Sequence, residues 1–130
     1  MKKFLIPAIC FISLYTSLSS AKSITMEVTS SAYNSVASQT TSINPALTAW
    51  GDTLKPGMKS IAVSRDLIKL GLTHNTEVSI KGLDGTYLVK DKMNKRWTKK
   101  IDIYMGLDIK AAKAWGKQKV TINWYKKEKK

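Results

Sequence analysis

Short runs of alternating apolar and polar residues, each cut off by a turn signal, set the terms for this chain. Ile24, Met26 and Val28 alternate with Thr25, Glu27 and Thr29, inside a half-buried strand expected over Lys22 to Tyr33. Ser60 to Ser64 reads as a second strand. Thr76 to Ile80 reads as a third, with Val78 and Ile80 set against Glu77 and Ser79. Lys81-Gly82-Leu83-Asp84-Gly85 is a hairpin-type turn, and Thr86 to Asp91 is the returning strand. Ile101 to Met105 is a fifth strand. Lys117 to Tyr125 is the sixth, with Val120, Ile122 and Trp124 on one face. About six short strands and little helix argue for a mainly β chain in a closed or nearly closed barrel.

The one well-formed helix pattern runs from Leu107 to Trp115. Asp108 can cap it, Ala111, Ala112 and Ala114 favour it, and Gly116 ends it. Arg65 to Leu70 fits a single helical turn. Asn34 to Pro45 is polar without an apolar period and reads as a loop. Thr48-Ala49-Trp50-Gly51 and Lys55-Pro56-Gly57 are turn-like. Lys92 to Lys100 is a basic loop carrying Trp97, and Lys126 to Lys130 is a solvated charged tail. No internal repeat is evident.

The N-terminus has a different character. Lys2 and Lys3 precede an apolar stretch from Phe4 to Leu18, and Ser19-Ser20-Ala21 supplies the small residues of a cleavage site. This pattern predicts a secretory signal peptide over Met1 to Ala21 and an exported domain from about Lys22. The stretch is too short for a comfortable membrane span, so no stable span is expected after cleavage. Removing 21 of the 130 residues leaves 109, enough for one domain with one core. The single cysteine, Cys10, leaves with the leader, so packing alone must hold the domain. Loss of Lys2 and Lys3 takes the formal charge from +13 to +11. Such a surface attracts polyanions, among them cell-wall polymers, lipid headgroups and nucleic acid, and charge alone does not rank them.

Candidate chemistry is narrowed by what the sequence lacks. No cysteine remains for nucleophilic work. One histidine, His74, cannot form a zinc site of the usual kind, and it reads as a solvated loop residue. No Ser-His-Asp pattern or Gly-rich phosphate loop is present, and neither metal nor cofactor is expected. Among the few acidic residues, Glu27 and Glu77 look like exposed strand positions, Asp84 a turn residue, Asp108 a cap, and Glu128 part of the tail. Asp66 follows a strand, Asp91 ends one, and Asp102 lies inside Ile101-Asp102-Ile103-Tyr104. Asp102 and Tyr104 therefore face away from the isoleucines. Two environments fit Asp102. In a groove it is partly desolvated, with the raised pKa that a general acid needs. On an open face it pairs with Lys99 or Lys100.

The same residues carry a family resemblance. Thr29-Ser30-Ser31-Ala32-Tyr33-Asn34, Thr48-Ala49-Trp50-Gly51, Ile61-Ala62-Val63-Ser64-Arg65-Asp66, the Thr76-to-Ile80 strand, Tyr87-Leu88-Val89-Lys90-Asp91, Ile101-Asp102-Ile103-Tyr104 and Ala114-Trp115-Gly116-Lys117-Gln118-Lys119-Val120 follow in order. The set resembles the three-aspartate (3D) domain. That domain is a six-stranded double-psi β-barrel with one short helix, related to membrane-bound lytic transglycosylase A and to the stationary-phase-survival proteins. The resemblance runs from about Val28 to Tyr125. Asp91-Lys92-Met93 stands where the family usually has Asp-Thr-Gly, and a bulkier basic loop follows. Ser64 holds the usual place of the first family aspartate, and Asp66 lies two positions on.

The resemblance implies cleavage of the MurNAc–GlcNAc β-1,4 bond of peptidoglycan, with a 1,6-anhydro product, in the bacterial envelope or outside the cell. It implies Asp102 as acid and base, with Asp91 and Asp66 holding it, the substrate or a water. Thr48 and Thr53 are expected to supply hydrogen bonds and Trp50 and Trp97 to offer sugar-stacking faces. Tyr104 and Arg96 line the substrate, and Lys92, Lys95, Lys99 and Lys100 steer an acidic strand. The expected partner of this monomer is the glycan strand, with no specific nucleic acid. The alternatives are a non-catalytic polysaccharide-binding module and a polyanion binder acting by charge alone, which lacks any reading motif.

Overall fold

The computed structural model describes residues 21–36 and 44–127. The expected leader lies outside these residues except for Ala21, as do Cys10, Glu128 and positions 37–43 of the polar loop. The chain runs β1 (Ala21–Tyr33), β2 (Ser60–Val63), α1 (Arg65–Lys69), β3 (Glu77–Ile80), β4 (Tyr87–Lys92), β5 (Lys100–Tyr104), α2 (Ile109–Trp115) and β6 (Gln118–Lys127). The strands close into a barrel in the order β1-β5-β2-β4-β3-β6. The expected mainly β, six-stranded barrel is present, and every strand begins and ends within two residues of its sequence-predicted bounds.

Two of the pairings are parallel, β1 with β5 and β2 with β4, and the other four are antiparallel. Shifting every strand label by three maps the pairing pattern onto itself. β1∥β5 becomes β4∥β2, β1 with β6 becomes β4 with β3, and the β2–β5 and β3–β6 seams map onto themselves. The barrel thus has a topological two-fold, in which the β1–β2 and β4–β5 connections each step over a neighbouring strand.

The alternation in each strand decides what fills the barrel. Val28, Ile61, Val63, Val78, Ile80, Val89, Ile101, Ile103, Val120, Ile122 and Trp124 form one buried cluster. The Trp124 indole is almost fully buried and its Nε1 donates to the Leu70 carbonyl at 3.2 Å. Leu67 and Leu72, from α1 and the turn after it, join the same cluster. The interior is therefore filled by side chains, and a functional site has to be built on the wall of the barrel and its loops.

Two sequence expectations need correcting here. Arg65 to Lys69 is a true helix, so the fold has two short helices instead of one. Leu67 causes this: burying its side chain holds the turn in helical form. Lys126 and Lys127 are not a free tail. They extend β6 and pair with Lys22 and Ala21 of β1. The α2 helix agrees in detail, with the Asp108 carboxylate accepting from the Ala111 N–H at 2.9 Å and Gly116 ending it at φ +62°. No helix among the described residues is long and apolar enough to cross a membrane.

Candidate functional site

Asp102 lies in the middle of β5 between Ile101 and Ile103, both core residues. It must therefore leave the outer face of the barrel wall. On that face it stands opposite Ala62 of β2 and Ser31 of β1. Directly opposed residues of a ladder share a face. Asp91 of β4 also stands opposite Ala62. Asp91, Ala62, Asp102 and Ser31 thus form one row across four strands, with only an alanine methyl between the two carboxylates.

Simple alternation does not predict this place for Asp91. Val89 belongs to the core, and a residue two positions on would normally point inward with it. The β2–β4 register shifts between Ile61 and Ala62, so that Ile61 faces Val89 and Ala62 faces Asp91. Lys90 is the extra residue of a β-bulge, an uncommon feature in a parallel pair. The bulge turns Asp91 out of the core and onto the face of Asp102.

The two carboxylates are held differently. The Asp102 Oδ1 accepts one hydrogen bond, from the Ser31 hydroxyl at 3.1 Å. Burial pushes the Asp102 carboxyl above its ordinary range. Ser31 and the Lys100 ammonium oppose that shift, and the charge of Asp91 adds to it. The Asp91 Oδ1 accepts from the backbone N–H of Ala49 at 2.9 Å and of Lys92 at 2.8 Å. Asp91 is therefore the point at which the 44–58 loop is fastened to the wall.

That loop has its own internal order. Leu47 bridges to Thr53, and the Thr48 Oγ1 accepts from the Asp52 N–H at 3.0 Å. The Thr48 N–H in turn donates to the Asp52 carbonyl at 2.8 Å. Asp52 pairs with His74 and lies 3.7 Å from the Lys90 ammonium. The Trp50 ring packs on the His74 ring at 5.0 Å between centroids. The expectation that His74 is merely a solvated loop residue is thus corrected: it is a loop anchor. Thr48 is buried and committed to the turn, Thr53 is exposed on the bridge, and Trp50 is partly buried against the core.

Asp66 is not brought to the row. Its Oδ2 accepts from the Lys99 N–H at 2.9 Å, where Lys99 adopts φ +44°. Its Oδ1 is buried without a full hydrogen bond. Partial burial raises its pKa. The Ser64 hydroxyl and the N–H groups of Lys99, Asp66 and Leu67 outweigh that and hold the carboxyl below its ordinary range. Ser64 is fully buried, and its Oγ accepts from the Lys100 N–H at 3.0 Å. Asp66 and Ser64 together shape the backbone that enters β5.

Around Asp102 the remaining groups are aromatic and basic. Tyr104, two residues on, is buried, and its hydroxyl and the Ser35 Oγ are hydrogen-bonded at 2.7 Å. Tyr33 stands opposite it on β1, with ring centroids 5.4 Å apart. The Lys100 Nζ sits 3.7 Å from the centroid of the Trp97 ring, and the Arg96 Cζ 4.8 Å from it. The Trp97 ring is thus occupied by cations. Ser31, Tyr33 and the Ala49 N–H were not singled out from sequence. Ser31 and Tyr33 do continue the polar face of β1, but their place beside Asp102 depends on the parallel β1–β5 register. A separate concavity of about 1230 Å³, bordered by Ile68, Gly71, His74, Tyr125 and Lys126, contains none of the three aspartates.

Neither the protein-family models nor the curated proteins match this chain.

Proposed function

We propose that this protein is a peptidoglycan-active lytic transglycosylase with Asp102 as its acid and base. The observation that carries the proposal is the Asp102 carboxyl: facing outward, partly buried, held by one hydroxyl, and raised above the ordinary aspartate range. A carboxyl in that setting keeps a proton to higher pH, which general-acid work requires.

The proposed step balances as follows. Asp102 gives its proton to the glycosidic oxygen, and the bond from C1 to that oxygen breaks. The C6 hydroxyl of the same MurNAc residue bonds to C1 and returns its proton to the Asp102 carboxylate. The nucleophile is tethered, so a second catalytic carboxylate is not needed, unlike in glycoside hydrolysis. Burial raises the Asp102 carboxyl, the charge of Asp91 adds to that, and Asp91 fixes the loop beside it. Lys92, Lys95, Arg96 and Lys99 draw in the stem-peptide carboxylates of the substrate. The leader expected over Met1 to Ala21 would deliver the domain to the envelope.

The reading is tested by incubating purified sacculi with the mature protein. Release of anhydro-muropeptides, detected by mass spectrometry and abolished in Asp102→Asn, is the expected result. Release that survives in Asp102→Asn removes Asp102 from the role. A second reading, a non-catalytic polysaccharide-binding module, draws on the Asp91-Lys92-Met93 departure and on the Asp91 oxygen taken up by two backbone N–H groups. Co-sedimentation with sacculi and no anhydro product would select it.

A further inference from the structure

The open concavity of about 1230 Å³ lies between the end of α1, the turn before β3 and the end of β6. Around the closed barrel β3 and β6 are neighbours, and β5, which carries Asp102, is three strands from β3 in either direction. A ligand held in this groove does not compete for the Asp102 row.

The groove wall is fastened from behind. The Trp124 indole ties β6 to the Leu70 carbonyl. Gly71 follows at φ +106°, and a Cβ there would lie 2.8 Å from the Lys126 Cγ. The space left by the missing side chain is where the Lys126 stem lies. Most polar groups of the lining are engaged with neighbours. The Thr73 and Thr76 hydroxyls bond to each other at 3.1 Å, the Asn75 Oδ1 accepts from the Lys90 ammonium at 2.6 Å, and His74 pairs with Asp52. Lys69, Lys126, Lys127, Tyr125 and one carboxylate, Glu77, are left. None of the three lysines forms an ion pair among the described residues. Tyr125 is 61% exposed, more than any other large apolar side chain described.

Ammonium groups only donate, so their ligand must accept, and their surplus over Glu77 selects an anion. Lysines act on phosphate as point charges. A bare chain of phosphates makes no use of an aromatic face, whereas a nucleobase stacks on one. The engaged Thr, Asn and His side chains leave nothing to read base edges.

We propose that this groove binds single-stranded nucleic acid without sequence preference, with phosphates on Lys69, Lys126 and Lys127 and a base stacked on Tyr125. The inference is independent of the glycan reading of the Asp102 site.

The test is fluorescence anisotropy of a labelled oligothymidylate of about 12 residues, within the range that small barrels engage. Titrations run from about 50 to 200 mM salt, and three phosphate contacts give a log–log slope of about −2. Lys126→Gln/Lys127→Gln should bind more weakly, with a slope shallower by about 1.4. Lys110→Gln/Lys113→Gln removes the same charge from the exposed face of α2 and should keep the slope. Glu77→Gln should bind more tightly than wild type. Tyr125→Thr should weaken oligothymidylate binding about tenfold and leave binding of inorganic polyphosphate unchanged. Tyr125→Phe keeps the ring and should bind as wild type does. A wild type that does not bind the oligothymidylate overturns the proposal. So does equal loss in the β6 and α2 lysine pairs, or a Tyr125→Thr that binds like wild type or weakens both polymers alike. Anhydro-muropeptide release is scored separately: its absence leaves this proposal standing, and failure of this proposal leaves the transglycosylase reading standing.

Discussion

The proton affinity of Asp102 should move in opposite directions when its two neighbours are changed. Ser31→Ala removes the only hydrogen bond to the carboxylate among the described residues. At 3.1 Å that bond is longer than the roughly 2.5–2.7 Å of strong O–H···O⁻ contacts, so its worth falls toward the low end, about 1 kcal/mol. Losing it should make the carboxyl about fivefold weaker as an acid. Asp91→Asn removes the negative charge across Ala62. Two strand spacings place the carboxylates' backbones about 9.5 Å apart. Coulomb's law over an effective dielectric of about 20 to 80 then gives about 0.4 to 1.7 kcal/mol. The carboxyl should become a stronger acid by roughly twofold to almost twentyfold. The double variant should return near wild type.

Carboxyl-carbon NMR of Asp102 followed through a pH titration reads all three directly and needs no substrate. Shifts of the same sign in both variants, or none in Ser31→Ala, would refute the account of why this carboxyl is raised. The sign for stability follows. The folded pKa of Asp102 lies above its unfolded value, so its favourable contribution is complete below the unfolded pKa and is lost as pH rises through the folded one. Asp102→Asn should therefore be at least as stable as wild type at neutral pH, by about 1.4 kcal/mol for each unit of that shift. The residue that the proposed chemistry requires is one that the fold would do better without.

Asp66→Ala should behave in the contrary way: destabilising by about 1 kcal/mol at neutral pH, since it loses the hold on Lys99 in a partly screened setting. The folded pKa of Asp66 is lowered, so that stability exists above the unfolded value and disappears as pH falls through the folded one. Denaturant melts at pH 7 and in strong acid should show the gap closing, while the Asp102 titration stays unchanged. Asp52→Ala should cost no more than about 1 kcal/mol globally, as expected for exposed ion pairs, but should speed hydrogen exchange at the Ala49 amide. Equal exchange in the two proteins would detach the His74 anchor from the site.

How much of this was legible in the sequence depends on which interaction places each residue. Ile101-Asp102-Ile103 is a local pattern: two core residues force the aspartate between them outward, whatever the partners. The same holds for the Val120-Ile122-Trp124 face and for the Asp108 cap, which act within a strand or a single helical turn. Asp91 stands out in the sequence as a residue, yet its direction is not readable there, because period-two reasoning sends it into the core with Val89. Only the Lys90 bulge reverses that, and a bulge in a parallel pair is set by the β2–β4 register, a long-range fact. Asp66 failed as a member of the row for a similar reason. It lies two positions beyond Ser64, Leu67 pulls the segment into a helix, and the carboxylate then turns to Lys99.

The division between the two faces of the wall has a chemical consequence. Inner positions of β2, β4 and β5 are sealed by Ile61, Val89, Ile101 and Ile103, so they can be neither hydrated nor approached by a polymer. Outer positions on the same strands would be bare to water, where an aspartate has an ordinary pKa and gives up its proton too early to act as an acid. Partial cover resolves this: Tyr33 and Tyr104 stand on one side of Asp102, and the loop fastened through the Ala49 N–H to Asp91 stands on the other. The cover, and not the barrel, then sets the proton affinity of Asp102. Substitutions in the 44–58 loop should accordingly change the titration of the site with little effect on the core that carries the fold.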